Sequence, residues 1–377
     1  MTDPRLERLA ALLLDYSLEL EAGKVVRLEG KDAAAPLLLA LYGAAIERGA
    51  NPYTSIALEG LEELLLEEGS EEQIEFLSDI EWAEVEAVDA TVTVWGRANT
   101  RSFTRLDAQR NQKLVATQRK LKNAYWKHIE AGTKRWVGTQ MPTHAHAQDA
   151  GMSLSEFEQF VFGACHVLEG EDAAAYWRST SGLLTARAGE LTGMRELRIV
   201  GLDTDLRLAV DGRTWRAADG RLNMPDGEVY TSPVEDGTEG EVRFTYPAIF
   251  NGREVEDVRL RFEGGRVVEH DAARGADFLG AMLDMDGGSR ILGEVAFGLN
   301  YEIDRFTADV LFDEKIGGTM HLALGAAFAD LGGRNESGLH WDMICDLRAG
   351  GEVFADGELI WKDGAFLHEP AVGATRV

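Results

Sequence analysis

Near the N-terminus, Leu6, Leu9, Leu12, Leu13, Tyr16 and Leu20 recur at helical spacing, so the chain is expected to open on an amphipathic helix. Val25-Val26-Arg27-Leu28 predicts a short strand, and Ala33 to Arg48, rich in Ala and Leu, predicts a second helix. Pro52 to Ala57 and the alternating, β-branched Ala90 to Trp95 predict two more strands. Met152 to Cys165 reads as a capped helix, because Ser153 with Glu156 three residues on forms a capping box. Ala173 to Leu191 predicts another helix. Strands alternating with helices imply a largely parallel α/β sheet.

From Leu197 the pattern changes. Short alternating runs such as LRIVG, DLRLAV, EVRFTY and VRLRFEGGRVVEH are separated by Asp-Gly and Gly-Gly pairs, which are hairpin signals. The expected architecture is therefore an N-terminal α/β domain over residues 1–195, with a largely parallel sheet. A mainly antiparallel β (α+β) C-terminal domain is expected over 196–377. The length of 377 residues fits two domains.

Charge narrows the function classes. Lys and Arg total 38 against 65 Asp and Glu, a net charge of −27. Such a polyanion repels phosphate backbones and anionic membranes, so neither nucleic acid nor a membrane is expected as a partner. Cys165 and Cys345 cannot build a disulfide framework and suit a reducing compartment. The N-terminus lacks a basic stretch followed by a long apolar run, so it does not read as a signal peptide. With no apolar run approaching ~18 residues, no spanning helix is expected, and the predicted location is the cytoplasm. Thirteen acids and no Lys or Arg lie between Glu59 and Asp89, whereas Arg97 to Arg135 holds eleven Lys or Arg against two acids. These blocks read either as solvated helical faces whose fields partly cancel, or as a basic surface that attracts a substrate carboxylate or a partner subunit.

HExxH, GxSxG, GxGxxG and P-loop motifs are absent. What remains is a set of carboxylates and imidazoles in the second half. Glu228 lies in NMPDGEVYTSPVEDG, Glu294 in ILGEVAFGLN, His321 in FDEKIGGTMHLALG, and His340 and Asp342 in NESGLHWDMI. On a strand, His340 and Asp342 would share a face and Trp341 would bury on the other. Taken singly, each has an ordinary reading: a surface H-x-D pair, a hydrogen-bonded core histidine, two turn acids. Taken together they exceed the three protein ligands of a mononuclear catalytic zinc site and suit two ions sharing a carboxylate. Glu314 and Lys315, just before His321, read as support for that site, as a substrate contact, or as an exposed strand-end pair. His144 and His146, in Thr143-His144-Ala145-His146, lack companions apart from Asp149 and read as a loop facing solvent or a cleft.

The runs NMPDGEVYTSPVEDGTEG, GEVAFGLN, LFDEKIGGTMHLALG, GLHWDMICDLR and DGELIWKDGAF, in that order, closely resemble the thermophilic-type metallo-aminopeptidases of the M29 family, the aminopeptidase T and aminopeptidase S type. In the first half, LLLDYSLELEAGKVVRLEG and AQDAGMSLSEFEQFVFGA resemble the family too, so the likeness covers nearly the whole chain. The resemblance implies an N-terminal α/β domain, a C-terminal catalytic domain particular to the family, and a homodimer. It also implies two divalent metal ions per chain, Zn, Co or Mn, and removal of N-terminal residues from peptide substrates. The family's metal ligands fall on Glu228, Glu294, His321, His340 and Asp342. Of these, Glu294 is expected to bridge the ions, and Glu228 to serve as the catalytic proton donor. Two positions depart from the pattern: Phe328 stands where the family usually carries an active-site tyrosine, and Leu299 turns its frequent GTN into GLN. The alternative function is thus a non-catalytic or weakly active metal- or peptide-binding relative, with Phe328 as the disabling change.

Overall fold

A computed structural model describes residues 3–250 and 252–370. The chain forms two compact units, residues 1–177 with 220–225, and residues 178–219 with 226–377, so residue 195 lies within the second.

The first unit is built on five parallel strands in the order Asn51–Ala57, Val25–Lys31, Ala90–Trp95, Arg135–Gln140, Asn223–Met224. The inner strands bury Val26, Leu28, Val92, Val94 and Val137 completely or almost so, as strands covered on both faces must. The helix Pro4–Leu12 supplies Leu6, Leu9 and Leu12 to this core, and the helix Ala35–Glu47 supplies Leu37, Leu38 and Leu41. The first helix is capped by the Asp3 carboxylate and ends in a π turn over Leu13–Ser17. The helix Leu154–Ala164 carries the expected capping box, with Ser153 and Glu156 each satisfying the other's backbone amide.

The two charge blocks are packed helices that pair with each other. Short helices Leu61–Glu68, Glu71–Ile74 and Asp79–Ala87 carry the acids, and the 23-residue helix Ala108–Glu130 carries much of the basic charge. Glu71 accepts from Arg110 at 3.0 Å and also from Lys113. The Arg110 guanidinium further caps the carbonyl of Leu66 at 2.7 Å. The His144 segment corrects an expectation: instead of a loop it is a short helix, His144–Asp149, because the Thr143 hydroxyl caps the His146 amide at 3.3 Å. His146 Nδ1 lies 2.7 Å from the Gln140 amide, a hydrogen-bonded histidine rather than part of a ligand cluster.

The second unit stacks an eight-stranded and a five-stranded antiparallel sheet on one continuous apolar core. The larger sheet contributes Leu197, Ile199, Leu206, Leu208, Val242 and Phe244, and the helix Ala173–Leu191 adds Leu184, Ala188 and Leu191. Its Asp-Gly hairpins form as expected: Asp356-Gly357, both with positive φ (48° and 87°), join Glu352–Ala355 to Glu358–Lys362. The smaller sheet runs His340–Asp346, Thr319–Gly325, Leu292–Gly298, Glu228–Thr231, Arg216–Ala218. An α/β unit with a parallel sheet, followed by a mainly antiparallel β unit, is the fold class expected from the sequence. Among the described residues no helix is long and apolar enough to cross a membrane.

Candidate metal centre

Side chains alternate between the two faces of a strand, and residues paired in register share a face. One face of the five-stranded sheet sends Val229, Val295, Phe297, Met320, Leu322, Leu324, Trp341 and Met343 into the core. The opposite face presents Glu228, Glu294, His321, His340 and Asp342. Glu294 and Asp342 both stand opposite Ala323, from its two sides. His321 stands between Ala296 and Ile344, His340 opposite Gly325, and Glu228 opposite Gly298. Alanine and glycine between the polar residues leave room for their side chains to converge. Trp341 is buried on the core face between His340 and Asp342, as the alternation predicts.

Glu294 reaches the polar face through a break in that alternation. Leu292 pairs with Leu324 and points into the core, and a regular strand would send Glu294 after it. Between them the register slips by one, so Gly293 is an extra residue and Glu294 turns to the other face. The site needs glycine here: a Cβ on Gly293 would lie 2.0 Å from the Ala326 carbonyl oxygen and 2.5 Å from that of Gly325.

Both imidazoles are oriented by main-chain carbonyls. His321 Nδ1 donates to the Glu314 carbonyl at 2.9 Å, and His340 Nδ1 to that of Ala326 at 3.0 Å. A carbonyl can only accept, so the partner assigns the proton to Nδ1 and turns Nε2 toward the carboxylates. His321 Nε2 lies 3.4 Å from Glu294 Oε1 and 3.9 Å from Asp342 Oδ1. His340 Nε2 lies 3.2 Å from Glu294 Oε2 and 3.5 Å from Asp342 Oδ1. Glu228 Oε2 is 3.7 Å from His321 Nδ1. The cage opens at His340, whose side chain is 35% exposed while that of His321 is 1%.

Behind Glu228 lies a buried cation. Lys315 is fully buried, 3.8 Å from Glu228 and 3.9 Å from Asp226, and hydrogen-bonded to Glu314. An exposed strand-end pair is thereby excluded for Lys315. Burial alone would discharge it, but Glu314, Glu228 and Asp226 hold it charged, well above the usual lysine range. Burial pushes the Glu228 carboxyl well up despite Lys315, and raises that of Glu314. Burial also acts on Glu294, yet hydrogen bonds from His321 and His340 leave it below its ordinary value. Asp342 likewise ends low, because His340 and His321 outweigh its burial. Burial opposes charge on His321, but Glu294, Glu228 and Asp342 raise its pKa to about 10, and Asp342 and Glu294 raise that of His340.

The donor chemistry suits cations. Glu228 Oε2 and Asp342 Oδ1 are buried carboxylate oxygens with no hydrogen bond, a costly state unless a positive charge faces them. Among the described residues two overlapping trios have ligand atoms within 4.8 Å of one another: Glu294, His340 and Asp342, and Glu314, His321 and Asp342. Asp342 belongs to both. The sequence did not single out Glu314 as a donor, nor Asp226 or Tyr230 as neighbours of the site. Tyr230 could have been found by the same period-two rule that pairs His340 with Asp342, since it lies two residues beyond Glu228.

Comparison with known proteins gives this geometry its class. Residues 2–366 match the family described as thermophilic metalloproteases, M29. The chain is similar to aminopeptidase T of Thermus aquaticus, 35% identical over 236 residues that make up 55% of each protein. It is also similar to aminopeptidase 2 of Geobacillus stearothermophilus, 30% identical over 288 residues, 66% of this chain and 68% of that one. The match thus spans about half the length of the first of these relatives. The structure superposes on wild-type AmpT from Thermus thermophilus with a TM-score of 0.86, covering 97% of this chain and 99% of that one at 24% identity, which shows a shared fold. The chain belongs to the M29 metalloprotease family.

Proposed function

We propose that this protein is a metal-dependent aminopeptidase that hydrolyses N-terminal residues from peptides at a dinuclear site held by Glu228, Glu294, His321, His340 and Asp342. The observation that carries this reading is the pair of overlapping donor trios sharing Asp342, lined by buried carboxylate oxygens that lack hydrogen bonds. A pair of divalent cations there would supply a water activated at neutral pH and polarisation of the scissile carbonyl. Mixed carboxylate and imidazole ligation without thiolate suits Zn, Co or Mn.

The protein's own residues do the rest. Asp342 and Glu294 each approach both imidazoles and are the two carboxylates able to span a pair of ions. Glu314 adds a carboxylate on the His321 side. Glu228 stands outside both trios, beside Lys315, so it would hold an ion only loosely and could carry a proton to the leaving amine. The open His340 wall is where a peptide would enter. The homologues' names support the peptide substrate. A homodimer in the cytoplasm, with two buried free cysteines kept reduced, completes the proposal.

The test is metal analysis of the purified protein together with release of free amino acid from Leu-p-nitroanilide and short peptides in the presence of Zn²⁺, Co²⁺ or Mn²⁺. Two bound ions and turnover are expected, with Glu294→Ala and His340→Ala losing both. The alternative reading, a binding protein without catalysis, rests on Phe328, whose ring lies 5.8 Å from that of His340 and brings no hydroxyl; the aminopeptidase relatives do not favour it. Two bound ions without turnover under any metal would select that reading.

A further inference from the structure

None of the five residues of the cage brings a hydroxyl donor to a carbonyl oxygen that is gaining negative charge. A phenol lies beside them. Tyr230 is two residues beyond Glu228 on the same strand and therefore on the same face. It belongs to one cross-strand row: Arg216, Tyr230, Ala296, His321. A methyl group, that of the fully buried Ala296, is the side chain between the phenol's strand and His321, two strand spacings or about 10 Å away along the backbone. The Tyr230 ring packs edge-on against Phe328 with centroids 5.1 Å apart, and Phe328 in turn packs edge-on against His340. Tyr230 is thus wedged at the rim of the cage, 9% exposed.

Its hydroxyl is backed by a cation. Arg216 stands directly opposite Tyr230 on the neighbouring strand, on the same face, and its guanidinium is fixed by Asp330, two residues beyond Phe328. A guanidinium only donates, so beside Arg216 the phenolic oxygen can act only as acceptor and its own O–H is left to donate elsewhere.

We propose that Tyr230 is a catalytic residue whose O–H donates a hydrogen bond to the scissile carbonyl oxygen as negative charge develops there, with Arg216 as its positioning residue. The phenol keeps its proton throughout, and no bond to it forms or breaks. This inference rests on the peptidase reading above.

The test is Tyr230→Phe in the metal-loaded protein. Removal of one such donor costs ~10²–10³ in rate, so kcat should fall by about that factor while KM stays within about threefold and metal content matches the wild type. Affinity for a phosphinic dipeptide, which mimics the charged tetrahedral oxygen, should fall similarly by calorimetry, while affinity for free leucine should not move. A merely structural tyrosine would weaken both ligands alike. In the Tyr230→Phe background, Phe328→Tyr brings a phenol back across the ring contact and should recover kcat at least tenfold. A kcat and phosphinate affinity within twofold of wild type overturn the proposal. If the wild type bears metal yet shows no turnover, the peptidase reading falls on its own. The ratio of phosphinate to leucine affinity then still decides whether Tyr230 serves a charged oxygen.

Discussion

The two faces of the five-stranded sheet come from the same strands and differ in almost everything else. On one, Trp341, Phe297, Leu322 and Leu324 are sealed in a core shared with the larger sheet. On the other, one residue along each strand, Glu294 and His321 are nearly as buried but polar, Asp342 is partly buried, and they converge within a few ångströms. The apolar face is held by area removed from water and tolerates changes of shape gradually. The polar face concentrates buried carboxylates whose oxygens lack hydrogen bonds, so its stability depends on what cation it meets. One slipped residue, Gly293, connects the two faces by passing the strand's polar set from one side to the other.

The sharpest way to separate the faces is to change neighbours. Asp342→Asn should abolish metal binding and hydrolysis together, and chelation with EDTA should lower the wild-type Tm but leave the variant's Tm unmoved. Trp341→Ala, one residue away, should cost about 3–5 kcal/mol of stability by denaturant unfolding, while the correctly folded fraction retains its metal. Equal metal loss in both variants would end the distinction.

Gly293→Ala tests the slip itself. The new methyl would push against the Ala326 carbonyl, which orients His340. Loss of such a partner costs ~10–100-fold in metal affinity, measurable by competition with a chelating dye. Unchanged affinity would mean that the register slip does not place Glu294 and His340.

The smallest effect is expected at the turn leading into the His340 strand. Asp286 accepts from the Gly338 amide at 2.8 Å and from Ser337. The Gly338 amide is the main reason its pKa falls to about 2. A carboxylate held low in the folded state stabilises it above its ordinary pKa of 3.8, and that contribution is lost as pH falls toward 2. Asp286→Asn should therefore lower Tm slightly at neutral pH, and the difference should close between about pH 4 and pH 2. A gap that stays constant across that range would assign the effect to packing instead.

Much of the architecture was legible because it is written in local periodicity. The ATVTVW strand, the Ser153–Glu156 capping box and the Asp-Gly turns depend on residues a few positions apart, and each forms as read. The alternation around His340-Trp341-Asp342 also placed the tryptophan correctly in the core. The His144 segment was misread because one threonine hydroxyl decides between loop and helix there.

The sequence by itself determined the alternation, the caps and the types of side chain available to a metal centre. Tertiary structure alone decided which face Glu294 occupies, because a register slip is a relation between two strands, which Gly293 permits without dictating. It also decided that Lys315 is a buried counter-charge, that the acidic and basic segments pair, and that Tyr230 stands beside Phe328. Burial and proximity across a sheet arise from partners distant in the chain, and a one-dimensional pattern does not carry them.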